Sequence, residues 1–313
     1  MRINTSSKFL FLMVMTATIL AVYLAGGACA APPLPVHTIE GVGGGAITPM
    51  AYLVNPEPRC RGAAAGKPSV ALTYVNMGRK NLNAITVTET LWGRVELGYA
   101  ANRLGLGNLP MAIRNAPGGV DIDRSDVWLH HFNARLLLVK ENTSLGGLAT
   151  PALTAGVHFK VNDGIADIDR RLTGALSGIG YERENGVDFT LTATRTIPPE
   201  VLGRPLILTA GVRASQAAQL GLLGFGDEYY TTFEGSVAYL PFDWLVLAYE
   251  FRQKPDPYAQ IPGLIGDEDH WHAFDAIFLL NDQTAFTAGY GNFATIANTE
   301  ENGIWWLQLK HEF

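Results

Sequence analysis

The stretch Thr232-Phe233-Glu234-Gly235-Ser236-Val237-Ala238-Tyr239-Leu240-Pro241-Phe242-Asp243-Trp244-Leu245-Val246-Leu247-Ala248-Tyr249-Glu250-Phe251-Arg252-Gln253 decides the fold class. Phe233, Val237 and Tyr239 share one face with Leu245, Leu247, Tyr249 and Phe251 across a turn at Pro241-Phe242-Asp243. Glu234, Ser236, Glu250 and Arg252 occupy the other face. A two-residue period carried this far marks extended strands with one apolar and one polar face. The pattern returns in Arg94-Val95-Glu96-Leu97-Gly98-Tyr99 and in Asp188-Phe189-Thr190-Leu191-Thr192-Ala193-Thr194.

Twelve such segments follow one another, at roughly 70–77, 84–92, 94–101, 128–140, 152–161, 187–196, 206–213, 229–240, 244–253, 270–280, 284–292 and 303–313. The connections 102–127, 162–186, 214–228, 254–269 and 293–302 are long. Gly93, Pro241-Phe242-Asp243 and Asn281-Asp282-Gln283 are tight turns, and 141–151 and 197–205 are intermediate. Long and short alternate, so one end of the sheet carries tight turns and the other long loops, as in outer-membrane barrels. The expected fold is therefore all-β: an antiparallel transmembrane β-barrel of about twelve strands over 70–313, preceded by a Gly-rich N-terminal segment at 31–69. An even strand count returns both barrel ends to the periplasmic side. A secreted sandwich or propeller lacks this parity, and no equal-length repeat supports one.

Composition points the same way. Of 313 residues, 48% are hydrophobic and 17% charged, where a soluble domain carries about 25% charged. No internal run is apolar enough to cross a bilayer as a helix. The 23 basic residues against 29 acidic ones exclude the basic stripe of a nucleic-acid binder. Residues 1–30 read as an export signal: Arg2 and Lys8, the apolar run Phe9 to Leu24, then Gly26-Gly27-Ala28-Cys29-Ala30-Ala31 with cleavage expected before Ala31. A lipidated Cys29 is the alternative, although glycine stands where that motif carries Leu. Cleavage before Ala31 would leave Cys60 as the single cysteine, which gives no disulfide framework.

The last segment places Trp305, Leu307, Leu309, His311 and Phe313 on one face, with Trp306, Gln308, Lys310 and Glu312 on the other. Trp305, Leu307, Leu309 and the final Phe313 resemble the signal that barrel-assembly machinery recognises; His311 departs from it. In Gly41-Val42-Gly43-Gly44-Gly45, no strand, helix and lysine context marks a phosphate cradle. The run is better read as backbone packed against backbone, either as a plug in the lumen or as an extra strand.

Several stretches resemble a domain-of-unknown-function family of proteobacterial outer-membrane proteins. They are Thr38-Ile39-Glu40-Gly41-Val42-Gly43-Gly44-Gly45-Ala46-Ile47-Thr48-Pro49, Arg94-Val95-Glu96-Leu97, Gly221-Leu222-Leu223-Gly224-Phe225-Gly226, Ser236-Val237-Ala238-Tyr239-Leu240 and Tyr249-Glu250-Phe251-Arg252-Gln253-Lys254-Pro255-Asp256. The resemblance covers Thr38 to Phe313 and implies an outer-membrane location and a β-rich fold, with no activity or catalytic residue attached.

In a barrel the polar face turns to the lumen. That predicts Arg94, Glu96, Arg135, His158, Lys160, Arg213, Glu234, Glu250, Arg252, Asp275, Lys310 and Glu312 inside, as a charged constriction that filters solutes or as charges pairing across a narrow lumen. With the turn centred on Phe242, Glu234 faces Glu250 and lies diagonal to Arg252. Glu89 falls on the apolar face. Asp267-Glu268-Asp269-His270-Trp271-His272 is the densest acid and histidine cluster, either a metal or hydrolase candidate or a solvated loop leading to an interface Trp. His130-His131 reads as an interface pair, and no serine sits in a Gly-x-Ser-x-Gly elbow. No catalytic residue, cofactor or metal is assigned. The expected function is a passive channel or small-solute binding and transport. A closed structural or surface-interaction barrel is the alternative, and an outer-membrane hydrolase the third. The expected partners are outer-membrane lipid, the barrel-assembly machinery and small solutes, without nucleic acid.

Overall fold

The computed structural model describes residues 34–56, 64–65, 68–116, 118–145, 148–262 and 265–313. The expected export signal with Cys29, and Cys60, lie outside the described residues.

Each alternating segment forms a strand: β1 Ser69–Met77, β2 Lys80–Leu91, β3 Val95–Gly105, β4 Asp126–Val139, β5 Ala152–Asp163 and β6 Asn185–Ile197 make one half. The other half is β7 Leu206–Ala217, β8 Phe225–Phe242, β9 Leu245–Arg252, β10 Trp271–Asn281, β11 Thr284–Asn292 and β12 Ile304–Glu312. Every strand pairs antiparallel with its sequence neighbours, and β12 pairs with β1, so the sheet closes into a twelve-stranded barrel with no free edge. Along β2, Leu82, Ala84, Thr86, Thr88 and Thr90 turn inward and are buried, while Ile85 and Val87 turn outward and are exposed. The outer face is apolar all round: Phe132, Phe233 and Phe274 are 52%, 57% and 58% exposed. Contiguous apolar surface of that extent belongs in lipid. Aromatic rings gather at both rims. Phe242, Trp244 and Phe278 stack near the short turns. Trp128 stacks on His130, and Phe251 contacts His270 and His272, toward the long loops.

Three sequence expectations change. Arg94 is exposed in the turn between β2 and β3, where its backbone N–H bonds Leu91 O, and it does not line the lumen. The β8–β9 register differs by two residues: Glu234 faces Arg252, and Ser236 faces Glu250. Strand β8 runs on through Phe242, and the pairing slips between Tyr239 and Phe242, which leaves Asp243-Trp244 as the turn. Finally, β2 begins at Lys80 directly after Gly78-Arg79, so one connection at the long-loop end is tight.

A barrel of this size is wider than its own side chains fill. Its interior holds residues 34–56: from Pro35 to Val54 all are buried except half-buried Tyr52. Within it Val36–His37 pairs with Gly43–Gly44, a small ladder that joins no wall strand and leaves the strand count even. The long-loop end is packed too. Helix α1 (Leu109–Asn115) and helix α2 (Ile165–Arg171) contribute Ile113 and Ile168 to one apolar cluster with Leu106, Leu222, Trp271 and Phe293. Residues 218–224 turn inward beneath it. Gln219 and Leu220 there take left-handed φ values of 47° and 62°, a conformation costing about 1–3 kcal/mol each unless the surroundings hold it.

Candidate functional site

Between residues 32 and 56, Glu40 is the one acidic or basic side chain apart from His37. Short hydrogen bonds fold the chain around it: Thr38 N donates to Val42 O, Ile39 N to Ala46 O, and Gly41 N to Thr38 O. Gly41, at φ +80°, makes this turn; a side chain there would meet the Tyr99 carbonyl at 2.9 Å. The turn points Glu40 at three cations of the wall. Lys160 Nζ on β5 lies 2.6 Å from Oε1, while Arg213 Nη2 on β7 and Arg252 Nη1 on β9 lie 3.2 Å and 2.6 Å from Oε2.

Two wall carboxylates complete the cluster. Asp188 lies 2.7 Å from Lys160 and 2.9 Å from Arg213; Glu234 lies 3.2 Å from Arg213 and 3.7 Å from Arg252. Burying a charge costs several kcal/mol per ion unless partners surround it, and here three cations meet three carboxylates. Burial alone would push the Glu40 carboxyl up, but Arg213, Arg252 and Lys160 together hold it well below the usual carboxylate range.

The other luminal charges hold the backbone of the segment. Glu250 accepts N–H bonds from Ala46 and Thr48 at 2.7 Å and from Ile47 at 3.2 Å, together with the Thr48 hydroxyl. Glu96 accepts from Gly43 N at 3.2 Å and Val54 N at 2.8 Å while Arg135 pairs with it at 2.8 Å. Arg135 donates onward to Met50 O, and Lys310 donates to Pro35 O, both at 2.6 Å. Lys310 also pairs with Glu312 at 2.7 Å. Asp275 accepts from Trp306 Nε1 at 2.9 Å. Threonines do similar work: Thr88 donates to Gly41 O, Thr90 to Val54 O and Thr154 to Ala51 O. His37 Nδ1 meets Thr86 Oγ1 at 2.6 Å. The side chains expected on the polar face, apart from Arg94, all lie inside and touch the segment or one another. Sequence reasoning missed Glu40 and Asp188. The signal for Glu40 was its isolation in an otherwise uncharged stretch.

His158 has Asn133 Oδ1 at 2.8 Å on one ring nitrogen and Thr190 Oγ1 at 2.9 Å on the other, the spacing of a base between an orienting group and a hydroxyl. Asn133 also donates to Glu40 O at 2.6 Å, and a Cβ on Gly156 would stand 2.5 Å from Thr190 Oγ1. The triplet is packed as a strut, with no room beside the hydroxyl for a substrate.

The acid and histidine cluster comes apart. Glu268 turns in and accepts from Gln219 N at 2.9 Å, with Lys254 Nζ at 3.6 Å. Burial raises the Glu268 carboxyl to about 7, against the pull of Lys254, and lowers the Lys254 ammonium. Trp271 stacks on Phe293 inside at 4.0 Å, whereas His272 turns out and bonds Tyr249 OH at 2.8 Å. Among the described residues, no group of three His, Cys, Asp or Glu side chains has the arrangement to hold a metal. The two neighbours His130 and His131 also separate, outward onto Tyr99 OH and inward onto Asn102. On β12, Trp305 and Phe313 are exposed, Leu307 is half-buried, and Leu309 and His311 are covered by their neighbours.

Residues 35–310 match the family described as protein of unknown function DUF3034. The chain belongs to that family. The DUF3034 match takes in the luminal segment as well as the wall, so filling and barrel form one family unit. No curated protein matches the chain in sequence. Among solved structures, the KdgM porin in complex with disordered oligogalacturonate is similar, at 10% identity and TM-score 0.46 over 78% of this chain and 99% of that one. So are Omp33 of Acinetobacter baumannii (9%, 0.39, over 80% and 99%) and outer membrane phospholipase A of Escherichia coli (7%, 0.35, over 79% and 93%).

Proposed function

We propose that the protein is an outer-membrane barrel held closed by its own N-terminal segment, with the luminal charges gripping that segment as a plug rather than filtering a passing solute. The observation that carries this reading is the donor set on Glu250: three consecutive backbone N–H groups and a hydroxyl of the segment converge on one wall carboxylate. The outer-membrane assignment draws support from the even, edgeless barrel, its apolar outer band and the expected export signal.

Solute passage, the second reading, would require the plug to withdraw. The make-up of the wall favours it: Thr86, Thr88, Thr190, Thr192, Gln308 and the ion-paired residues would line a wettable path, whereas an apolar lumen would stay dry. The test is conductance in a planar bilayer. The full chain is expected to be silent, and a variant lacking 34–56 to give discrete steps. Steady large conductance from the full chain contradicts the closure. A deletion variant that folds yet stays silent contradicts the assignment of the seal to this segment alone and puts it at the packed long-loop end.

A further inference from the structure

The ion cluster around Glu40 is unbalanced without its luminal member. The wall alone contributes three cations, Lys160, Arg213 and Arg252, against two carboxylates, Asp188 and Glu234. Glu40 supplies the missing negative charge from a separate, non-barrel segment, and both of its oxygens are engaged. Two guanidinium groups and an ammonium from alternate strands converge on a planar carboxylate, the geometry these groups use for carboxylate ligands. We infer that Lys160, Arg213 and Arg252 form a carboxylate-binding site of the lumen, which the tethered carboxylate of Glu40 occupies while the barrel is closed. The inference rests on the plug reading and deepens it: the solute class that replaces Glu40 when the segment withdraws is a carboxylate anion. Lys160 ties the site to the opposite closure as well, because its Nζ also donates to Leu220 O, 3.2 Å away, in the inward-turned 218–224 loop. Emptying or refilling the site therefore acts on both seals.

Chemical rescue tests the site. Glu40→Ala removes one methylene and the carboxylate, the skeleton of acetate, and leaves three cations facing two acids. Thermal unfolding of the full-length variant in detergent is followed in sodium acetate, chloride and phosphate at matched ionic strength. Acetate is expected to raise the midpoint saturably by about 4 °C or more, with little effect on the wild type and a much smaller one on Glu40→Ala combined with Arg252→Gln. Acetate no better than chloride, phosphate better than acetate, or an unchanged response in the double variant would overturn the inference. If Glu40→Ala does not reach its compact, heat-modifiable form in chloride, the refolding yield in acetate decides: a higher yield supports the site and an equal yield overturns it. Full-chain conductance separates this result from the plug reading, since an open wild-type barrel defeats the plug whatever acetate does.

Discussion

Gly45 has no side chain because the Glu250 carboxylate stands where one would be: a Cβ there would lie 2.5 Å from Oε2 and 2.6 Å from Oε1. Gly45→Ala is therefore expected to push the segment off its main anchor, at about 1–3 kcal/mol. The check is faster proteinase K cleavage within 34–56 in folded barrels. Glu250→Ala should act more strongly, since it leaves several buried N–H groups without an acceptor, each costing about 1–3 kcal/mol; Glu250→Gln, which keeps one acceptor oxygen, should fall between. Equal protection in all three variants would remove Glu250 from the anchoring role. At this scale the sequence was only partly legible. Alternation put Glu250, Arg252, Arg213 and Lys160 on a polar face, but Glu40, which partners the last three, has no periodic context, and nothing local says which wall residue it meets. Arg94 shows the limit of the pattern at a strand end, where one residue decides between lumen and turn.

At the scale of elements, the loop closure and the wall follow different rules. Glu268, under the 218–224 loop, is raised to about 7 chiefly by burial. A carboxyl raised on folding stabilises most when protonated, so its contribution is lost as pH climbs from the ordinary value of 4.5 to about 7. Protease nicking of the 218–224 and 254–270 loops is expected to rise between about pH 5 and pH 8 in the wild type, relative to Glu268→Gln, whose profile should be flat. A constant ratio between the two proteins would contradict it. The twelve strands themselves were readable because lipid outside and polar groups inside impose a period of two on every one. The β8–β9 register was not, since a slip between Tyr239 and Phe242 moves the turn without disturbing the alternation. The inward course of 218–224 was hidden as well, because it depends on Lys160 and Asn162 of β5 donating hydrogen bonds to its carbonyls.

For the whole molecule, the formal charge of −6 divides by location. Most luminal acids and bases pair with one another, Glu250 and Asp275 being held instead by backbone N–H groups and the Trp306 indole, while Asp256, Asp267, Asp269 and Glu300 lie in the connections at the long-loop end. A barrel with an apolar band outside and a buried charged interior is expected to resist opening by SDS at room temperature. The expected signature is a mobility shift between unheated and boiled samples, and identical mobility would contradict the membrane-barrel reading. Whether 34–56 occupies the lumen of the inserted protein is the central question, and Val42, fully buried, is the residue to ask. Val42→Cys, made in a background with Cys60→Ser and incorporated into liposomes, can be exposed to a membrane-impermeant maleimide from both sides. Almost no labelling before denaturation and complete labelling after it is the predicted result; rapid labelling of the native barrel would contradict the account.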